Sequence, residues 1–133
     1  MTPVALRVVR GFAVFDLLVT GLMALPPTAA IFVDVLYAIN GGMGGPASPP
    51  AFQGVHWMFV NIAGVLGVLW ALARIVEPTR FLGLTDAAGR ACVGGLIVWY
   101  ILAGAAPVAL FAIVFTEWLG AAAQWHVLLR RAP

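Results

Sequence analysis

Four apolar segments, each close to the length of a membrane-spanning helix, limit what this sequence can fold into. Hydrophobic residues make up 63% of the 133 residues and charged residues only 9%, against about 45–50% and about 25% in water-soluble domains. A water-soluble domain of this length cannot bury that much apolar surface. Since about 20 apolar residues cross a bilayer as a helix, the composition predicts an all-α membrane protein.

Proline, glycine and capping residues mark the ends of these segments. Pro26 and Pro27 end the first, because proline cannot continue a helix. Thr85 and Asp86 form the type of N-terminal cap that opens a helix, and Gly104 is typical of a helix end. The sequence therefore predicts an antiparallel up-down bundle of four transmembrane helices, at about 3–25, 51–75, 86–103 and 107–129.

The basic residues predict the orientation of this bundle. All seven are arginines, and they lie near the two chain ends or around the connection between the second and third spans. Because basic residues concentrate on the cytoplasmic side of a membrane, we expect both termini to be cytoplasmic. The formal net charge of +2 is too small, and the arginines are too scattered, to predict nucleic-acid binding. The arginines are Arg7, Arg10, Arg74, Arg80, Arg90, Arg130 and Arg131.

A cleaved signal peptide is the alternative interpretation of the first segment. Arg7 and Arg10 precede an apolar run that ends in small residues, as in a signal peptide. Asp16 interrupts the apolar run, however, and cleavage would leave three helices with the N-terminus outside. We therefore expect the first segment to remain as a span.

The outer connection before the second span is the longest. Residues 28–39 place five apolar side chains on one helical face and Asp34 on the other, which predicts a short amphipathic helix at the outer interface. The stretch GGMGGPASPP that follows is typical of a flexible loop. The connection is either a spacer or a lid over a site open to the outer leaflet. The apolar face consists of Ile31, Phe32, Val35, Leu36 and Ile39.

Polar side chains in three predicted spans fall at one depth. Asp16, Asn61 and Glu117 each lie about 15 Å below the predicted outer boundary, near the middle of a core about 30 Å thick. Intramembrane carboxylates face the bundle interior and find partners there. Two such acids in contact would share a proton, which suits a proton relay, acid–base chemistry or a cationic or polyol ligand. With their neighbours, the candidate ligand-binding residues are Asp16, Thr20, His56, Asn61, Trp99, Tyr100, Glu117 and Gln124.

Two other interpretations of this polar layer stay open. Its members could simply hydrogen-bond one another and fix helix register, since such bonds average only about 0.6 kcal/mol in membranes. His56 with the two acids could also bind a divalent metal, but no local ligand motif supports this, so we predict no metal. The sequence predicts no cofactor and assigns no catalytic residue.

Small residues recur every fourth position on the second and third predicted spans. Such rows permit close backbone contact, so they predict that these two helices pack together as a hairpin. A homodimer seam on either row is the alternative. The rows are Ala63, Gly67 and Ala71, followed by Ala87, Ala91 and Gly95.

The order of these features resembles the small four-helix bacterial membrane proteins of the DoxX-like families. The similarity rests on a second segment ending in ALARIVEP, an inner loop with DAAGR, and a last segment that contains FTEW and ends in LLRR. It implies a multi-pass protein of the bacterial inner (plasma) membrane. Namesake members resemble subunits of quinone-linked sulfur oxidation, but no residue here carries that activity over. A likeness in architecture alone is to the sterol-isomerase type of bundle.

We therefore expect an accessory subunit or a lipophilic-ligand-binding module built around the Asp16, Asn61 and Glu117 layer. Its expected partners are membrane lipid and a larger membrane complex or a second copy of the chain. The competing interpretation is a membrane enzyme of the isomerase type, or a proton-coupled transporter of a small lipophilic molecule. In that case Asp16 and Glu117 would exchange a proton.

Overall fold

The computed structural model describes residues 1–129, and they form five α-helices, one short 3-10 helix and no strand. The prediction of an all-α protein is confirmed for these residues. Arg130 and Arg131, which the orientation argument uses, lie outside the described range. The helices are α1 (Pro3–Ala24), α2 (Pro26–Gly42), α3 (Gly54–Val76), α4 (Arg80–Leu102) and α5 (Phe111–Leu129), with the 3-10 helix at Val108–Leu110.

Three parts of the described chain are long and apolar enough to cross a membrane, namely α3, α4 and Val108–Leu129. α1 and α2 meet the same criteria only when taken together, and their axes are bent by 106°. The bend lies at Leu25, whose extended backbone precedes two prolines. A proline at the first helical position starts a new helix easily but cannot continue the preceding one.

α4 begins six residues earlier than the predicted start at Asp86. The hydroxyl of Thr79 accepts a hydrogen bond from the backbone N–H of Leu82 at 3.1 Å and caps the helix there. The connection from α3 is therefore only residues 77–79. As a result, Asp86 and Arg90 lie within α4 rather than at its start, and Arg90 is about 15 Å along the helix from Arg80.

The helices pair differently from the hairpin that the small-residue rows predict. α3 packs against α1, and α4 packs against α5, whereas α3 and α4 have at most sparse backbone contact. Gly64 faces the backbone of Met23 and Ala24, and Gly67 faces Thr20. The predicted hairpin is wrong because the small residues of α3 pack on α1, and a side chain at Gly95 of α4 would meet no atom within 4 Å.

Trp118 of α5 packs against a glycine of α4. Its indole ring lies against Gly94, where a side chain on α4 would overlap it. Gly83 receives the side chains of Val9 and Leu128 in the same way, further along α4. Small residues therefore do permit close packing in this protein, but between α1 and α3, between α4 and α5, and at Gly83 also between α4 and α1.

The exposed face of α2 is the apolar one. Ile31, Val35 and Ile39 are each more than half exposed in the described chain, and Asp34 is exposed as well. The side of α2 that packs on the protein contains Ala29, Val33 and Asn40 instead. The helix is also longer than the predicted 28–39, since it starts at Pro26 and ends at Gly42.

Asn40 connects the loop after α2 to the 3-10 helix at Val108–Leu110. Its side chain is 1% exposed, donates to the carbonyl of Pro46 at 3.0 Å and accepts from the N–H of Ala109 at 3.3 Å. Gly45 packs directly on its amide group. The 11-residue connection between α2 and α3 is therefore anchored at one end rather than free along its length.

We expect Asn40→Ala to lower the free energy of unfolding by about 1–3 kcal/mol, because it leaves the buried N–H of Ala109 and the carbonyl of Pro46 without their partner. The measurement is a detergent unfolding titration followed by circular dichroism. Asp34→Ala, on the exposed side of the same helix, is the matched control and should change stability by less than about 0.5 kcal/mol. Equal effects of the two substitutions would contradict the assignment.

Candidate functional site

Five charged side chains from four helices meet between the α1–α3 pair and the α4–α5 pair. Two are arginines that are almost fully buried: Arg74 is 0% exposed and Arg90 is 3% exposed. The other three are carboxylates. We call these five residues the ion cluster: Asp16 of α1, Arg74 of α3, Asp86 and Arg90 of α4, and Glu117 of α5.

Asp86 is the most fully bonded member of the ion cluster. Its Oδ2 accepts from Arg90 Nε at 2.9 Å and from Gln124 Nε2 at 2.7 Å, and it lies 2.6 Å from Arg74 Nη1. Its Oδ1 accepts from the indole N–H of Trp70 at 2.8 Å. A buried carboxylate needs such partners, because an unpaired one is costly to hold away from water.

Arg90 connects all three carboxylates. It donates to Asp86 from Nε, to Asp16 from Nη2 and to both carboxylate oxygens of Glu117 from Nη1. Each of the two contacts to Glu117 is 3.4 Å long. Its guanidinium also stacks over the ring of Phe12, 5.1 Å from the centroid. The planar guanidinium carries donors on three nitrogens, so it can serve three acceptors that lie in different directions.

Arg74 supports the same arrangement from α3. Its Nη2 donates to Asp16 Oδ2 at 2.7 Å, and its Nε donates to the carbonyl of Trp70 at 3.3 Å. Arg74 Nη1 lies within ion-pair distance of Asp86 but lacks hydrogen-bond geometry to any described residue. The two arginines thus link α1, α3 and α4, and Arg90 adds α5.

The charges of the ion cluster do not balance. Three carboxylates face two guanidinium groups, so one negative charge is unmatched when all three acids are ionised. Glu117 is the least well bonded of the three, since its described partner is a single Arg90 nitrogen at 3.4 Å. Glu117 is therefore the acid most available to a proton or to a positively charged or donating group.

A cavity of about 360 Å³ opens beside the ion cluster, in the space between α3 and α4. Its inner wall contains the ion cluster and Trp70. Its rim on α4 is formed by Thr85, Gly89 and Val93, all of which are exposed. The position of Gly89 has open space around it. The cavity therefore joins a buried charged wall to an open, mostly apolar entrance.

The structure brings four of the eight predicted site residues to this region. Asp16 and Glu117 belong to the ion cluster, and Gln124 is 0% exposed and donates to Asp86. Thr20 lines the cavity, and its hydroxyl donates to the carbonyl of Asp16 at 2.7 Å. The sequence predicts that Asp16 and Glu117 share a proton directly. In the structure Arg90 lies between them and pairs with both.

The other four predicted site residues lie elsewhere. Asn61 donates to the carbonyl of Met23 at 2.8 Å, about 20 Å along α3 from Arg74, so it is not at the level of the ion cluster. His56 Nδ1 accepts from the N–H of Gln53 and caps the start of α3. Trp99 and Tyr100 are 70% and 54% exposed, near the far end of α4.

Arg74, Asp86 and Arg90 are the site residues that sequence reasoning missed. The orientation rule for basic residues places Arg74 and Arg90 around the connection between the second and third spans, and the capping rule places Asp86 at a helix start. A usable signal was present, because Trp70 with Arg74 and Asp86 with Arg90 are four residues apart, the spacing that puts side chains on one helical face. Acidic and basic residues at that spacing within an apolar helix indicate a buried pair.

The acids of the ion cluster are separated by guanidinium groups, and residues 1–129 contain no group of three His, Cys, Asp or Glu side chains arranged to hold a metal ion. The fold and site define an all-helical protein with a buried ion cluster beside an open cavity. No protein-family model, no curated protein and no solved structure matches the chain. The resemblance to the DoxX-like families stays a prediction.

Proposed function

We propose that this chain is a multi-pass integral membrane protein that binds a small lipophilic molecule in the cavity between α3 and α4. Four spans in an antiparallel bundle, with the bent α1–α2 pair as the fourth, would place the ion cluster within the membrane. The basic ends of the helices support a cytoplasmic location for both termini. The bacterial inner membrane is the location that the resemblance implies.

The observation that carries the proposal is the cavity itself. A cavity whose inner wall is charged and whose entrance is apolar suits a molecule with one polar end and a hydrocarbon body. The polar end would reach the ion cluster, while the body would leave between Gly89 and Val93 into the hydrocarbon core. Binding pockets commonly combine a few placed polar groups with an apolar lining in this way.

The charge imbalance indicates the chemistry of the polar end. A buried surplus of negative charge is costly in a membrane, so a cationic or hydrogen-bond-donating head is favoured over an anionic one. Glu117 would receive it, because its carboxylate has the fewest partners in the ion cluster. An amine or a polyol head attached to an apolar body fits this description.

We expect dodecylamine to raise the thermal unfolding midpoint of the purified protein in nanodiscs, and dodecanoate to leave it unchanged. Both probes have the same chain length and differ in head-group charge. In Gly89→Leu the new side chain occupies the cavity. The dodecylamine concentration needed for the same shift in the unfolding midpoint should therefore rise at least about tenfold. Gly95 is on the same helix in equally open space but outside the cavity, so Gly95→Leu is the matched control.

Two further outcomes separate parts of this proposal. If Glu117→Gln abolishes the difference between the two probes, the head group meets that carboxylate. If Gly89→Leu and Gly95→Leu respond alike to dodecylamine, the cavity is not the binding site and the proposal fails. The unfolding midpoint without any probe checks that each variant is folded.

Accessory-subunit and proton-linked roles are compatible with the same cavity. The surplus carboxylate favours the second candidate, a transporter or isomerase-type enzyme in which Glu117 carries a proton. Glu117→Gln should then retain the fold and abolish proton movement in reconstituted vesicles. Affinity purification in mild detergent addresses the accessory role, which requires a co-purifying membrane complex in stoichiometric amount.

A further inference from the structure

A second, apolar groove lies on the opposite side of the ion cluster, between α1 and α5. Its volume is about 290 Å³, and its walls include Gly11, Phe12 and Phe15 of α1 with Thr116 and Leu119 of α5. The hydroxyl of Thr116 already donates to the carbonyl of Ile113 at 2.8 Å, so it offers no free donor to the groove. The groove therefore suits hydrocarbon.

Gly11 and Phe12 give the groove its shape. A side-chain carbon added at Gly11 would meet no other atom within 4 Å. Because glycine has no side chain, this space is part of the groove. Phe12 forms a wall between the groove and the ion cluster, since Arg90 stacks on its ring. From Arg7 to Phe15 the groove follows α1 for about 12 Å, long enough for a substantial part of an acyl chain.

Arg7 lies at one end of this groove and gives it a charge. Its side chain is exposed and makes no hydrogen bond or ion pair with any residue in 1–129, unlike the other arginines of that range. It lies in the second turn of α1. An acyl chain in the groove would bring an anionic head group to this position.

We infer that the groove is a binding site for one anionic phospholipid, with an acyl chain between α1 and α5 and the phosphate paired with Arg7. The inference rests on the membrane location in the proposed function but not on the cavity between α3 and α4. Arginine donates two parallel hydrogen bonds to a phosphate. Anionic lipids are also enriched in the cytoplasmic leaflet, where the basic helix ends would lie.

The test is native mass spectrometry of the purified protein in detergent supplied with equal amounts of dioleoyl phosphatidylglycerol and dioleoyl phosphatidylcholine. We expect one phosphatidylglycerol adduct in excess over phosphatidylcholine. Arg7→Gln should reduce that excess about fivefold, the contribution of one basic residue near an anionic lipid. Arg10→Gln is the matched control, because Arg10 lies outside the groove and donates to the carbonyl of Ile75 instead.

A second pair of variants tests the acyl chain separately. Gly11→Phe should fill the groove and remove the adduct of either lipid, whereas Gly21→Phe, on the same helix in equally open space, should retain it. Equal losses in Arg7→Gln and Arg10→Gln would overturn the inference in favour of general charge attraction. Retention of the adduct in Gly11→Phe would overturn it as well.

The two proposals fail in distinguishable ways. Loss of the lipid adduct in Gly11→Phe with an unchanged response to dodecylamine separates this groove from the cavity beside Gly89. Extraction of the protein from membranes by alkaline carbonate would refute the membrane location on which both proposals rest. Circular dichroism spectra that match wild type are required of all four variants.

Discussion

Arg90→Met is expected to lower the free energy of unfolding by about 3–5 kcal/mol, the cost of removing one partner from a buried ion pair. Arg90 contacts all three carboxylates of the ion cluster and is 3% exposed. Without it, Glu117 loses its described partner and Asp16 keeps only Arg74. The measurement is a titration with sodium dodecyl sulfate from mild-detergent micelles, followed by circular dichroism.

Arg80→Met on the same helix is the control. Arg80 is exposed and donates one hydrogen bond, to the carbonyl of Leu128 at 3.0 Å, so the expected loss is about 1 kcal/mol. The double variant Arg90→Met with Glu117→Gln should recover part of the stability, because it removes one of the carboxylates left without a partner. Equal losses in Arg90→Met and Arg80→Met would show that the ion cluster does not hold the helices together.

Gly64→Leu is expected to lower the free energy of unfolding by about 3 kcal/mol, the upper end of the usual cost of overpacking. A side chain at Gly64 would overlap the backbone of Met23 and Ala24, and a backbone cannot move aside as a flexible side chain can. α1 and α3 would have to separate, which would also break the hydrogen bond from Asn61 to Met23.

The same detergent titration measures this effect. Gly64→Ala should show a smaller loss than Gly64→Leu, because the single carbon already overlaps the backbone but requires less separation. Gly95→Leu, whose position is open, should change stability by less than about 0.5 kcal/mol. A stable Gly64→Leu variant would mean that the contact between α1 and α3 is not required for the fold.

The helices could be predicted because each one depends mainly on local sequence. Apolar runs, prolines and capping residues are neighbours along the chain, so they indicate a helix without reference to the rest of the protein. The exact start of α4 was harder to predict, since both Thr79 and Thr85 are plausible caps. The structure uses Thr79, and the difference of six residues moves Asp86 and Arg90 from a helix end to a helix interior.

The candidate site could be predicted only in part. Asp16 and Glu117 are conspicuous because they are single acids within apolar segments, and both belong to the ion cluster. Asn61 is equally conspicuous, but its amide is satisfied by the carbonyl of Met23 on the neighbouring helix. A polar residue in an apolar helix therefore indicates that a partner exists, without identifying whether the partner is a side chain or the backbone.

By itself, the sequence determined that the chain forms long apolar helices and that some of them contain acids which need partners. The tertiary structure alone decided which helices pair and which arginines serve those acids. Arg74 and Arg90 are far from Asp16 in sequence, and a guanidinium group pairs equally well with a phosphate at a membrane surface or a buried carboxylate. Only the packing of α1 on α3 and of α4 on α5 removes these arginines from the surface and leaves a cavity beside them.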